Sequence, residues 1–402
     1  MSITVPETTD FNPHRSSYRW VIMALTSSAF IMAFVSRFAW PPLMPVAMPD
    51  LGIIDLSQGM AYMSAFYLGY IITQIPGGLL SDRFGPRMVL AAALALQGLG
   101  TLGLAFTLNY HFGLLLRIIC GLGGGCVYSA CLKAIITWFS PAQRGLAIAV
   151  VMSAPTVGVA LPNFLMPALE AAFGWQKSFL IIGLIVLVIA LMLALFMKQL
   201  KSPAAAPRKS FLLGLKYVCG NRNLLLISLA GFCGLWAQIG FGSVGNGYLV
   251  RAFDINLKSA GAVMVVYGGI GLLASLAAGW LSGRFRGHKK NMLITAHLLM
   301  GLLLLVFGKL NGVTAAIISA SIIGAAVSAA NSLYSIILAD NTPPEWMATA
   351  GGVSNTIFQL GALLSPLALG LAHDLSGGYG LAWPILALVA ALGAVFSAMI
   401  KK

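Results

Sequence analysis

Long apolar runs, each closed by a short polar or charged segment, repeat along all 402 residues of the chain. A hydrocarbon core takes about 20 residues of helix per crossing, so runs of this length predict membrane spans. They fall near residues 19–46, 57–80, 88–108, 112–138, 145–168, 177–197, 223–249, 259–282, 291–308, 313–338, 347–371 and 380–400. Strands of a membrane barrel would instead alternate in segments of about 10 residues, a pattern the chain lacks. The polar start through Ser17 runs into an apolar segment longer than a signal-peptide core, with no small-residue cleavage pattern, so the first run reads as a retained span. The expectation is an all-α membrane protein with twelve transmembrane helices.

The polar segments organise these spans into two sets of six. Between the sixth and seventh, Lys198 to Arg222 is basic and carries Pro203, Ala204, Ala205, Ala206 and Pro207, the composition of a flexible tether. The predicted units are residues 1–197, a linker at 198–222, and residues 223–402. The segment after the second span, GGLLSDRFGPRMVL (residues 77–90), is echoed after the eighth by AGWLSGRFRGHKKNML (residues 278–293), so a tandem repeat of a six-helix unit is the economical reading.

Composition narrows the class. With 59% hydrophobic and 8% charged positions, a water-soluble globule would have no polar surface to wear. The formal charge of +14 is spread between spans rather than gathered on a soluble face, which argues against nucleic acid as partner. Topology accounts for it: with a cytoplasmic N-terminus, seventeen Lys and Arg residues fall on the cytoplasmic side and four, Lys177, Arg251, Lys258 and Lys309, on the other. That bias predicts a multi-pass inner-membrane protein with both termini in the cytoplasm. Cys120, Cys126, Cys131, Cys219 and Cys233 show no metal spacing, and neither a metal site nor a disulfide is expected. No phosphate-binding loop and no nucleophile elbow is present, so neither an enzyme nor a cofactor is expected.

Three cations, Arg37, Arg117 and Lys133, lie within predicted spans. A cation at the bilayer centre costs from about 2.5 to above 10 kcal/mol, and such residues face a wet cavity or a counter-ion. Arg37 lies about 27 Å beyond Arg19 at 1.5 Å per residue, too deep to reach back to the cytoplasm. Its alternatives are substrate contact or, should the first span end at Pro41 and Pro42, outward snorkelling. For Arg117 the alternatives are substrate contact or hydrogen bonds to carbonyls between helices. Lys133, about 24 Å further along the same helix, either hands substrate onward or snorkels to the interface.

All ten acids fall in loops or at span ends, leaving no carboxylate to neutralise Arg37 and Arg117. An anionic ligand would relieve that imbalance. The second half offers polar and aromatic groups without charge, Trp236, Gln238 and Asn246, then Asn331 and Tyr334, then Asn355 and Gln359. They are candidates for hydroxyls or a distal carbonyl of the substrate, although polar residues in spans commonly bridge helices at about 0.6 kcal/mol each. His297, inside the ninth span, reads better as a packed, hydrogen-bonded residue than as a proton carrier.

GGLLSDRFGPR resembles the loop signature of the major facilitator superfamily. The resemblance implies that glycines at 77, 78 and 85 permit close packing and that Asp82, Arg83 and Arg87 hold a gate, with Gly78, Asp82, Arg83, Gly85 and Arg87 as the motif residues. RIICGLGGGCVY (residues 117–128) is similar to the superfamily's fourth-span motif, and SAPTVGVALP (residues 153–162) is a loose version of its fifth-span hinge. SAFYLGYIITQIPGGLLSDRFGPR (residues 64–87) and CLKAIITWFSPAQRGLA (residues 131–147) resemble most the anion:cation symporters, which include hexuronate, galactonate and vesicular glutamate carriers.

That group implies a major facilitator fold working by alternating access, with Arg37 and Arg117 on the substrate's acid group and Tyr70 assisting. Its proton-driven sugar-acid carriers have carboxylates where this chain has Ser36 and Gly124, so carboxylate-borne proton symport is not implied. The expectation is a monomeric secondary transporter, bathed in membrane lipid, for a small organic anion such as a carboxylate or sugar acid, with a co-transported or exchanged ion. The alternative is a drug or metabolite efflux carrier of the same fold.

Overall fold

Proline sets the first break in the chain. The first crossing is made of α1 (Tyr18–Phe38) and α2 (Trp40–Asp50), which part at Ala39. Pro41 and Pro42 have no N–H to give to the carbonyls of Arg37 and Phe38, four residues back, so the helix ladder stops there and restarts. The computed structural model describes residues 16–107, 109–152, 154–199, 211–343 and 346–401.

The longest helix, α3 (Leu56–Leu104), has 49 residues. At 1.5 Å per residue it would extend about 73 Å, more than twice the depth of a bilayer core. It doubles back instead at Gly85, whose φ of +80° lies in the left-handed region that glycine enters without steric cost. Both limbs pack on α4 (Tyr110–Trp138). Gly121 of α4 lies against the Phe66 main chain of the first limb, and Gly123 against Ala93 of the second. A side chain at Gly121 would meet the Phe66 carbonyl directly, so small residues here set the approach of backbone to backbone.

The fifth crossing comprises α5 (Pro141–Met152) and α6 (Ala154–Phe173), and the sixth is α7 (Trp175–Phe196). After α8 (Phe211–Gly220), the second half contains α9 (Arg222–Phe253), α10 (Leu257–Arg284), α11 (Lys289–Phe307), α12 (Val313–Asp340), α13 (Met347–Ser376) and α14 (Ala382–Met399). Ten helical runs among the described residues are long and apolar enough to cross a bilayer. The two limbs of α3 and the α5–α6 pair bring the crossings to twelve.

The halves repeat one packing plan. In the first, α1 packs on α4, α6 and α7, and in the second α9 packs on α12, α13 and α14. The halves meet through α3 with α13, α6 with α10, and α2 with α9. Among the described residues, the hydrogen bonds across that seam gather at the end distant from the chain termini. Asp374 accepts from the Leu56 and Ser57 amides, Ser64 Oγ donates to the Leu363 carbonyl at 2.7 Å, and Asn246 Nδ2 donates to Asn163 Oδ1 at 2.8 Å. Nearer the termini, Gly279 and Gly283 of α10 and Gly351 and Gly352 of α13 face open space.

The predicted tether differs from the structure over its second part. Residues 211–220 form α8, with Val218 buried and Tyr217 stacked on Trp346 at 4.2 Å between ring centroids. Leu215, Tyr217 and Val218 have a surface on α9 and α13 to cover, and that contact outweighs the basic, loop-like composition upstream. Pro203, Ala204, Ala205, Ala206 and Pro207 lie outside the described residues.

Candidate functional site

Arg37 occupies the last turn of α1, just before the proline break, and is 6% exposed. Four rings surround its guanidinium: Phe34 at 4.4 Å and Tyr70 at 4.5 Å from the central carbon, Phe66 at 5.1 Å and Tyr67 at 5.6 Å. Phe34 comes from one turn earlier on the same helix, and the others line one face of the first limb of α3. Cation–π attraction of about 0.5–2 kcal/mol per ring holds the charge in place without neutralising it. Nε is buried with no hydrogen-bond partner, and the neighbouring Tyr67 hydroxyl faces the guanidinium. The guanidinium meets no carboxylate among the described residues.

Arg117 is different. It is fully buried, and its nitrogens go to main-chain oxygens: Nε to Tyr62 at 3.1 Å, Nη1 to Ser36 at 3.2 Å and Nη2 to Arg37 at 2.9 Å, with Met63 Sδ at 3.5 Å from Nη2. Of the two readings the sequence left open, this geometry is the carbonyl-binding one. Both guanidinium groups stand 5.1 Å from the Phe66 ring, so two positive charges sit within about 10 Å of each other by that shared contact.

The positions implied to hold carboxylates in proton-driven relatives carry no acid here and are closely packed. Ser36 Oγ is bonded to Thr101 Oγ1 at 2.5 Å, next to Gln97, whose Nε2 donates to the Ala33 carbonyl. A side chain at Gly124 would begin 3.0 Å from Phe66 and 3.5 Å from Tyr70, inside the aromatic wall of Arg37.

The second half contributes neutral groups. Asn331 Nδ2 donates to Gln238 Oε1 at 2.9 Å, joining α12 to α9, and Gln238 lines a small void between the halves together with Phe38, Pro41, Asn163, Met264 and Tyr267. Trp236 Nε1 is buried without a partner. The antiparallel register of α13 on α3, set by Gly370 against Ser57 and Leu363 against Ser64, brings Gln359 to the depth of Tyr67 and Tyr70, with Asn355 a turn nearer the termini. Tyr334 is drawn elsewhere: its hydroxyl meets His297 Nε2 at 2.9 Å, and the histidine's two nitrogens also reach the Leu293 and Ala230 carbonyls. His297 is thereby a packed core residue, as expected.

A family model described as Major Facilitator Superfamily matches residues 25–366. The chain belongs to the major facilitator superfamily. Within it, the chain is similar to a probable sulfoacetate transporter of Cupriavidus necator, 24% identical over 96% of this chain and 95% of the other. It is also similar to the 4-hydroxybenzoate transporter of Pseudomonas aeruginosa, 26% identical over 68% of each. Among solved structures, a bacterial homologue of the human lysosomal transporter Spinster in an inward-facing conformation shares the fold, with a TM-score of 0.75 and 16% identity over 96% of this chain and 95% of that one.

The superfamily's loop signature surrounds the α3 turn. Gly78 is buried, Gly85 makes the turn, and Arg87 donates through Nε to the Ala194 carbonyl at 3.0 Å. Arg83 lies over the Phe84 ring. Asp82 takes a 2.9 Å ion pair from Lys133, which also donates to the Ser81 carbonyl. Lys133 is thus joined to the gate motif rather than placed beside Arg37 and Tyr70. In the second half the polarity is reversed: Gly283 replaces the aspartate, and Lys289 at the start of α11 pairs at 2.6 Å with Asp340 at the end of α12. Lys133→Asp, facing Asp82, is expected to cut transport about tenfold, and the swapped pair Asp82→Lys with Lys133→Asp to recover most of it, measured as initial uptake rates at matched expression.

Sequence reasoning missed Phe34, Phe66 and Tyr67. The signal was available in part. Phe34 precedes Arg37 by one helical turn, and Phe66 precedes Tyr70 by four residues on the neighbouring span, so both pairs share a helix face.

Proposed function

We propose that this protein is a secondary active transporter that carries a small organic anion, a carboxylate or sugar acid, across the inner membrane by alternating access, with both termini cytoplasmic. The observation that carries the reading is the Arg37 guanidinium, buried among four rings with no carboxylate beside it among the described residues and with its Nε unbonded. A cation so placed in a low-dielectric interior lacks the solvation it had in water, and an anion with two oxygens presented to its fork restores it. Tyr70 orients that acid group, and Gln359, Asn355, Trp236 and the Gln238–Asn331 pair take the neutral remainder. The units at 1–197 and 223–402 rock about this centre, joined through residues 198–222. The names of the relatives, transporters of sulfoacetate, 4-hydroxybenzoate and hexuronate, support an acid as cargo.

No titrating acid among the described residues neighbours the seat, so no carboxylate-borne proton offsets the substrate's charge there. Uptake of glucuronate, 4-hydroxybenzoate or sulfoacetate into proteoliposomes is expected to follow an imposed membrane potential as net negative charge movement, about 2.3 kcal/mol per charge per 100 mV. Electroneutral uptake with stoichiometric proton entry would contradict the coupling, and absence of counterflow with every acid would contradict the function.

A further inference from the structure

The Arg37 carbonyl is where the missing proline bond and the buried arginine meet. In an uninterrupted helix that carbonyl would accept the N–H of residue 41, but residue 41 is proline. A buried carbonyl without a partner costs about as much as a lost hydrogen bond, and Arg117 Nη2 stands 2.9 Å from it. The same fork bonds Ser36 one residue earlier and Tyr62 on α3, one turn from Phe66. Three main-chain oxygens, two on α1 and one on α3, are therefore locked to one guanidinium. The side chains that leave those two helix segments are Arg37 itself and the rings Phe66, Tyr67 and Tyr70.

We propose that Arg117 is a positioning residue. It supplies the hydrogen bond that Pro41 withholds from the Arg37 main chain, and so fixes the α1–α2 break and the α1–α3 spacing that hold the Arg37 side chain in its aromatic cage. The assignment rests on the reading of Arg37 as the anion seat, but its structural half stands on the carbonyl contacts alone. Lysine does not replace arginine here, because a single ammonium cannot span carbonyls on two helices as the planar fork does. An alanine at position 41 would restore the absent amide, while Pro42 keeps the break.

The test uses full-length protein in lipid nanodiscs with Arg117→Lys, Pro41→Ala and the double variant. Hydrogen–deuterium exchange of peptides covering residues 34–50 reads the break without any ligand, and glucuronate, 4-hydroxybenzoate and sulfoacetate titrations read the seat. Arg117→Lys, which keeps the charge, is expected to speed exchange at the break about tenfold and weaken binding about tenfold, as loss of a charge-assisted bond implies. Adding Pro41→Ala is expected to recover most of both, or to restore folding should Arg117→Lys alone fail to fold. Unaltered exchange in Arg117→Lys overturns the proposal. So does a double variant that remains unfolded, or one whose exchange recovers while its binding does not, since the latter marks direct contact with the anion. If no acid binds even the unaltered protein, the anion reading fails while the exchange comparison still decides the positioning role.

Discussion

Arg37→Ala is expected to abolish saturable uptake of organic acids and, in the same protein, to leave thermal stability unchanged or raised. The two effects point in opposite directions because the guanidinium is buried with no acid beside it among the described residues and with its Nε unbonded. Removing one partner of a buried charge pair costs about 2–5 kcal/mol in binding, which is from about thirtyfold to several thousandfold in affinity. The empty protein, by contrast, is relieved of an uncompensated charge. Arg37→Lys should retain weak binding, about tenfold below the unaltered protein, because an ammonium offers a point charge in place of a fork. Uptake assays and melting curves with and without acid decide the matter. Binding that survives Arg37→Ala with unchanged affinity would place the anion elsewhere, and a large loss of stability would make Arg37 a structural residue.

How much of this was readable in advance depends on whether the relevant partner is a side chain. The twelve crossings follow from hydropathy, and the α1–α2 break from Pro41 and Pro42, because lipid and proline act through local rules. Arg37 stood out because a cation at that depth has nowhere to go in hydrocarbon. Arg117 stood out for the same reason, yet its role was hidden, since its acceptors are main-chain oxygens of Ser36, Arg37 and Tyr62 and every residue has one. Lys133 and Asp82 are 51 positions apart in sequence, and only the doubling of α3 on α4 brings them together. Of the second half's polar residues, Tyr334 was diverted to His297 by a contact between α11 and α12 that hydropathy does not register.

The seam between the halves shows an asymmetry of its own. Among the described residues polar closure lies at the distal end, in side-chain contacts that either half alone would leave unmade, while near the termini the loop signature bonds Arg87 to Ala194 and Asp82 to Lys133. Rocking of the halves must therefore break specific hydrogen bonds at the distal end.

The largest of those distal contacts is a helix cap supplied from across the seam. The first amides of α3 point out of its N-terminus, and Asp55, at the N-cap position, makes no side-chain bond to them. Asp374, on the last turn of α13, accepts from Leu56 at 2.9 Å and Ser57 at 3.0 Å, putting a full negative charge at the positive end of the helix dipole. Opening the distal end must give up both bonds. Charge-assisted bonds contribute about 1.5–3 kcal/mol each when buried. Asp374 is an exposed residue whose side chain is about one-fifth exposed, so water returns part of that, and a shift of about 1.4 kcal/mol, or tenfold in the ratio of open to closed, is expected for Asp374→Ala. Asp374→Asn, which keeps a neutral acceptor, should fall between. Ile54 and Leu375 flank the seam in opposite halves and are 89% and 87% exposed, so spin labels at these positions, with Cys219→Ser, report the opening as a longer distance whose population rises with each substitution. An unchanged distance distribution in Asp374→Ala would show that the cap does not hold the distal end shut. A rise in that population accompanied by slower uptake would show that the carrier needs the bond to return.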